Sequence, residues 1–251
     1  MSEHTDSPFP SDTVEVHLDT ESLVAAAAAR FVSIVVAAQA ERGSASVVLT
    51  GGGTGIALLE LVRKSPGDID WSRVEVFWGD ERFVPANDPE RNDLQARQAL
   101  LDHVPVDPAR VHPVAASDGE YPDPVEAAAE YSATVHAYLA EHGAFDLHLL
   151  GMGSEGHVNS LFPHTDAVRE EHELVVAVTN SPKPPPVRVT LTLPAIRRSR
   201  HVVLVVAGAA KAEAVAAAIG GAEPVEVPAA GAIGLDSTTW LLDQEAASAL
   251  R

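Results

Sequence analysis

His201–Ala207 reads HVVLVVA, an almost unbroken apolar run. A run this short and this rich in β-branched residues is a strand buried on both faces, and a sheet with helices on both sides is what buries a strand so fully. Val14–Leu18 alternates apolar with polar and reads as a short edge strand. Ser46–Thr50, Val74–Trp78, Phe145–Leu150, Leu174–Val178, Val187–Leu193 and Ser237–Leu242 read as further strands. Helical stretches fall between most of them. One starts at Thr20 and runs to about Arg42, with Leu23, Ala27, Phe31, Ile34 and Ala38 on one stripe. Others cover Ile56–Lys64, Glu90–His103, Val125–His142, the alanine-rich segment after Gly208, and Gln244–Leu250. The alternation predicts an α/β chain: a doubly wound, largely parallel sheet of about six strands or more, covered by helices on both faces. Val104–Pro124, rich in Pro and Asp, reads as a loop. With 251 residues, 46% of them hydrophobic, the chain suits one domain over residues 13–251. Residues 1–12, MSEHTDSPFPSD, are expected to be a disordered polar tail.

Charge and composition narrow the partners. Lys plus Arg is 17 and Asp plus Glu is 36, a net charge of −19. That argues against nucleic acid or an anionic membrane as a partner, and means that an anionic substrate needs a local cluster of cations. There is no cysteine, so no disulfide, thiolate metal site or cysteine nucleophile can form. The amino terminus lacks the basic and apolar regions of a secretory signal, and a cytoplasmic location is expected. Leu23–Ala40 is apolar but interrupted by Arg30 and Ser33, so it reads as a helix packed on the sheet rather than a membrane span.

In an open α/β sheet the chemistry gathers at the carboxyl ends of the strands. Four such exits carry polar residues here. Ser46–Thr50 runs into Gly51-Gly52-Gly53-Thr54-Gly55, which could cradle an anion with backbone N–H groups or be only a tight turn. Val74–Trp78 runs into Gly79-Asp80-Glu81-Arg82, either a solvated charged loop or part of a site. Phe145–Leu150 ends in Gly151, Gly153 and Gly156, with Glu155 and His157 between and after them. His201–Ala207 is followed by Gly208 and Lys211; a lysine at a helix start opposes the dipole, and an anion bound there would explain it. Asn180–Pro186 reads as a stiff proline-rich flap. The strand after it puts Arg188, Thr190 and Thr192 on one face, open to water or turned to the site. His157 is the residue suited to proton transfer at neutral pH; Arg188, Lys211 and the glycine turn are what a phosphate dianion needs. The eleven histidines are scattered, none in H-E-x-x-H spacing, and no metal site is expected; no serine sits in a G-x-S-x-G elbow.

The segments TGGGTG, FWGDERFVP, LLGMGSEGHVNSLFP, RVTLTLPAI and GAAKAEAV together resemble the 6-phosphogluconolactonase family, in that family's order, from about Val14 to the end. The resemblance implies a Rossmann-type deaminase/lactonase-like fold and hydrolysis of 6-phosphogluconolactone to 6-phosphogluconate in the oxidative pentose phosphate pathway, without a cofactor. It implies His157 as general base, with Glu155 or Asp80 either raising and orienting the imidazole or binding sugar hydroxyls. It places Gly51, Gly52, Gly53, Thr54, Arg82, Arg188 and Lys211 around a sugar-phosphate substrate, in a monomer or weak homo-oligomer. The chain departs from the family's usual SGGSTP turn, and has Glu155-Gly156-His157 where Asp-Gly-His is usual. Glucosamine-6-phosphate deaminases share the fold, but resemble DEY and GHIAFNEP at the two key loops; Arg82 and Ser160-Leu161-Phe162-Pro163 favour the lactonase. A non-catalytic sugar-phosphate sensor is the remaining alternative.

Overall fold

The computed structural model describes residues 12–250. Among these residues the strands are β1 (Asp12–His17), β2 (Ala45–Leu49), β3 (Val74–Trp78), β4 (Asp80–Arg82), β5 (Phe145–Leu150), β6 (Val175–Val178), β7 (Arg188–Leu191), β8 (Ser199–Val206) and β9 (Ser237–Asp243). The helices are α1 (Thr20–Arg42), α2 (Gly52–Lys64), α3 (Asn92–Ala99), α4 (Pro124–His142), α5 (Asp166–Arg169), α6 (Leu193–Ile196) and α7 (Ala212–Ile219). Six strands form one parallel sheet in the order β1-β9-β8-β5-β2-β3. The expected polar tail lies outside the described residues, apart from Asp12, which already belongs to β1.

Burial explains the layers. All residues of β2 and β5 are buried, as strands covered on both faces must be. On one face Leu23, Ala27, Phe31, Val35 and Ala38 of α1 join Leu58, Leu59 and Val62 of α2 in a core with Val47, Leu49 and Leu147 of the sheet. Val35, rather than the expected Ile34, completes the α1 stripe. Asp19 caps α1 by accepting from Ser22 N at 2.8 Å, and Gly43 ends it at φ +81°, where a side chain would be strained. This helix is long and apolar enough to cross a membrane by length and composition, but its apolar stripe is packed on the sheet. The opposite face is covered by α4 and α7, whose Tyr131, Val135 and Val215 are buried.

Strands 174–178 and 187–193 leave the main sheet. As β6 and β7 they pair antiparallel with each other, and β7 pairs antiparallel with β4, so Asp80-Glu81-Arg82 is itself a strand in a second, three-stranded sheet. The short proline-rich link between β6 and β7 has no room for the crossover helix that parallel pairing requires. Several boundaries also move. α2 begins at Gly52, inside the glycine run; α3 covers only Asn92–Ala99, with a 3₁₀ turn at Leu101–His103. Gln244–Leu250 makes hydrogen-bonded turns instead of a helix; Asp243 caps it by accepting from Ala246 N at 2.8 Å.

The strand order reverses between β2 and β5. From β2 the chain moves outward through α2 to β3, then returns to place β5 on the other side of β2. The loops leaving β2 and β5 therefore diverge and open a crevice, the usual ligand position in such sheets.

Candidate active site

At that crevice lies a cleft of about 210 Å³. Its walls bring together Gly51, Gly52, Asp80, Arg82, His157, Arg188 and Lys211 from five stretches of chain. A larger hollow of about 550 Å³ adjoins it and shares Gly52 and Arg82, with Gly53 on its wall. The smaller cleft is the candidate site, because it holds His157 among several cations. Thr54 lines neither hollow; it lies inside the first turn of α2.

The loop after β5 folds back on itself to hold His157. Gly153 N donates to the His157 carbonyl at 3.0 Å, and Gly156, at φ +83°, donates to the Gly153 carbonyl at 3.0 Å. Thr50 Oγ1 accepts from Gly151 N at 3.3 Å, tying this loop to the end of β2. The imidazole packs on Phe162, ring centroids 4.4 Å apart. Its Nδ1 is 3.2 Å from Glu155 Oε1, but off the line of a hydrogen bond, so the contact is electrostatic. Burial pulls the His157 pKa below its ordinary value and outweighs the upward pull of Glu155, which keeps the ring neutral near pH 7. Burial pushes Glu155 the other way. The Lys183 hydrogen bond, a backbone hydrogen bond and the nearby cations overcome that push and hold its carboxyl at about 2.

Asp80 is buried behind this pair. Its Oδ2 accepts from Ser160 Oγ at 2.6 Å and lies 3.7 Å from Arg188 Nη1. Among the described residues Glu155, not Asp80, is the carboxylate at the imidazole; Asp80 acts on it through charge alone. Next along the chain, Glu81 organises the strand exit. It accepts from the backbone N–H of Arg82 (2.7 Å), Asn92 (2.8 Å) and Asp93 (2.8 Å), fixing the start of α3.

The cations differ in what they have left to offer. Arg188 is buried, so the polar face of β7 is turned inward and not to water. Its Nε donates to the Pro185 carbonyl, Nη1 to Ser160 Oγ, and Nη2 to the carbonyls of Lys183 and Pro184, at 3.0–3.3 Å. Four of its five N–H groups thus hold the proline flap and Ser160. Lys211 sits in a 3₁₀ turn just before α7, and its Nζ donates to the Met152 carbonyl. Arg82 Nη1 donates to the Glu90 carbonyl at 2.6 Å, while its buried Nε has no partner.

Residues 18–240 match the family model described as glucosamine-6-phosphate isomerases/6-phosphogluconolactonase. The chain belongs to this family. It is 57% identical over 244 residues to the 6-phosphogluconolactonase of Mycobacterium tuberculosis, covering 96% of this chain and 99% of that one. The Streptomyces coelicolor 6-phosphogluconolactonase is 54% identical over 250 residues, with 96% of each chain covered. The solved 6-phosphogluconolactonase of Trypanosoma cruzi superposes with a TM-score of 0.81 at 31% identity, covering 98% of this chain and 99% of that one.

Within this family member the cleft also holds residues that the sequence reading did not assign to the site. Lys183 reaches it from the flap, and Asn92, Asn159 and Met152 line it. Asn92 Nδ2 donates to the Asp80 carbonyl at 2.8 Å. A signal existed for Lys183, the sole cation in the Asn180–Pro186 flap beside a phosphate-seeking site. Ser160 had none, because its partner Asp80 is eighty residues away.

Proposed function

We propose that this family member hydrolyses 6-phosphogluconolactone to 6-phosphogluconate, the second step of the oxidative pentose phosphate pathway, with His157 as the general base. The observation that carries the reading is His157: a neutral imidazole beside a carboxylate, in a cleft that also presents Arg82, Arg188 and Lys211. Such a cleft suits a substrate that is anionic at one end and needs a proton moved at the other.

The 6-phosphate sits against Lys211, the remaining N–H of Arg188 and the amino end of α2 at Gly52, where the helix dipole and free amides favour an anion. Anchoring that end fixes lactone C1 near His157. Nδ1 faces Glu155, so Nε2 is the nitrogen that takes a proton from water. The water oxygen adds to C1, and the carbonyl oxygen becomes an oxyanion. The N–H groups of Gly153 and Gly156 already donate within the loop, and that of Gly151 donates to Thr50. Arg82, whose guanidinium lines the cleft, is the better donor to the oxyanion. The C1–ring-oxygen bond then breaks, and the ring oxygen takes the proton back from Nε2. The new carboxylic acid releases its proton to solvent. Hydrolysis on this route needs no cofactor, and proton transfer by one positioned base is worth roughly 10²–10⁴ in rate. The reading places the enzyme in the cytoplasm, as a monomer or weak homo-oligomer.

The test supplies freshly generated 6-phosphogluconolactone and follows its loss above the spontaneous rate, with glucosamine 6-phosphate tested in parallel for ammonia release. Lactone loss alone supports the proposal. Ammonia release would assign the deaminase reaction, and binding without turnover of either would assign a sensor.

A further inference from the structure

Glu155 divides its carboxylate between His157 on one oxygen and Lys183, with a longer contact from Ser154 Oγ at 3.3 Å, on the other. Oε1 faces His157 Nδ1 at 3.2 Å, and Oε2 accepts from Lys183 Nζ at 2.9 Å. Lys183 belongs to a different element, the flap between β6 and β7. Exposed lysine–carboxylate pairs usually contribute little, because two long side chains must be ordered to form them. Lys183 departs from that case at its backbone. Its carbonyl accepts from Arg188 Nη2 at 3.1 Å and from Ser181 Oγ at 3.0 Å, and its N–H donates to Ser181 Oγ at 3.3 Å. Ser181 is buried, its N–H donates to the Pro186 carbonyl at 2.9 Å, and the consecutive prolines Pro184, Pro185 and Pro186 stiffen the rest of the flap. The flap thus delivers the ammonium to one place, and that place is the carboxylate at the imidazole.

We infer that Lys183 is a positioning residue for the reaction: its ammonium fixes the Glu155 carboxylate and thereby sets how His157 is oriented and how readily it takes a proton. This rests on the reading of His157 as the base. Six charged groups share the cleft with the imidazole: Glu155 from its own loop, Lys183 from the flap, Asp80 and Arg82 from β4, Arg188 from β7, and Lys211 from the turn before α7. Glu155 and Asp80 favour the protonated ring, and Lys183 opposes them. Lys183 also engages the half of Glu155 that is otherwise held only by the longer Ser154 Oγ contact at 3.3 Å. Loss of its charge therefore acts in one direction by both routes, toward a more easily protonated and less available base.

The experiment compares K183M and K183R with the wild type in two readouts. The first is the pH dependence of kcat and KM for 6-phosphogluconolactone. The second is the His157 imidazole titration followed by NMR in the substrate-free protein, which does not depend on turnover. K183M is expected to move the titration and the acid limb of kcat/KM upward by about half a pH unit or more, the size of a partly screened charge contact. K183R is expected to leave both where the wild type has them. A K183M protein whose titration does not move overturns the inference, whether KM rises (a substrate ligand) or nothing changes (a surface pair). H157N separates the two levels of the account. If it is inert while K183M leaves the titration unmoved, only the Lys183 inference fails; if it still turns over, the base assignment fails.

Discussion

The imidazole of His157 rests directly on Gly153: a Cβ at residue 153 would lie 1.9 Å from Nδ1 and 2.7 Å from Glu155 Oε2. No side chain fits there with the histidine in place. The same glycine donates its N–H to the His157 carbonyl, so the residue that makes room for the ring also fixes its backbone. G153A is therefore expected to displace the imidazole by an ångström or so and lower kcat about 10²-fold, with KM little changed. Steady-state kinetics check this, alongside a circular dichroism spectrum like that of the wild type.

Lys211 lies in the cleft with its Nζ on the Met152 carbonyl and no hydrogen-bonded carboxylate partner among the described residues. Burial, then the neighbouring charge of Lys183, lowers its pKa, and the charge of a phosphate dianion beside it offsets both effects. K211M is expected to raise KM about tenfold or more, equivalent to the loss of one charge-assisted contact of about 1.4 kcal/mol or more, and to change kcat less. Inorganic phosphate should inhibit the wild type more strongly than K211M.

Ser160 is fully buried and joins two charged residues, donating to Asp80 at 2.6 Å and accepting from Arg188 at 3.3 Å. Removing its hydroxyl leaves a buried carboxylate oxygen without its shortest hydrogen bond. S160A is expected to lose about 1–3 kcal/mol of stability, read as a lower urea midpoint at unchanged m-value.

His148 is buried in β5, its Nδ1 3.3 Å from Ser199 Oγ. Burial drives its pKa down from 6.5 to about 3. The folded state therefore binds fewer protons than the unfolded chain between those values, and stability falls as pH drops below about 6.5. His157 and His201, whose pKa values burial also lowers, act in the same direction. Glu155, held at about 2, contributes a stability that is lost only at much lower pH. Urea unfolding should show a clear loss of stability between pH 7 and pH 5. A flat profile over that range would contradict the burial of these neutral rings.

Much of the frame was legible in the sequence because it depends on local patterns. Apolar runs such as HVVLVVA and the glycines after β2 and β5 mark strands and their exits, and the exits converge whatever the side chains do. The short link between β6 and β7 allows only antiparallel pairing, but their departure from the main sheet and the pairing of β7 with Asp80–Arg82 were not legible, since alternation looks the same in either sheet. The division of labour among charges was also hidden. Arg188 reads in the sequence as a phosphate fork, yet most of its donors hold flap carbonyls only a few residues away. Lys183 reads as part of a stiff connection, yet its ammonium meets Glu155. The first depends on how the proline flap turns back on Arg188, the second on the flap meeting a loop 28 residues away, and no alternation pattern encodes either.

The most direct test of the central claim is the turnover of H157N on 6-phosphogluconolactone, corrected for spontaneous hydrolysis. The substitution keeps a polar side chain of similar reach but removes the base. The account predicts a fall in kcat of roughly 10²–10⁴ with unchanged melting behaviour. Turnover near that of the wild type would contradict it.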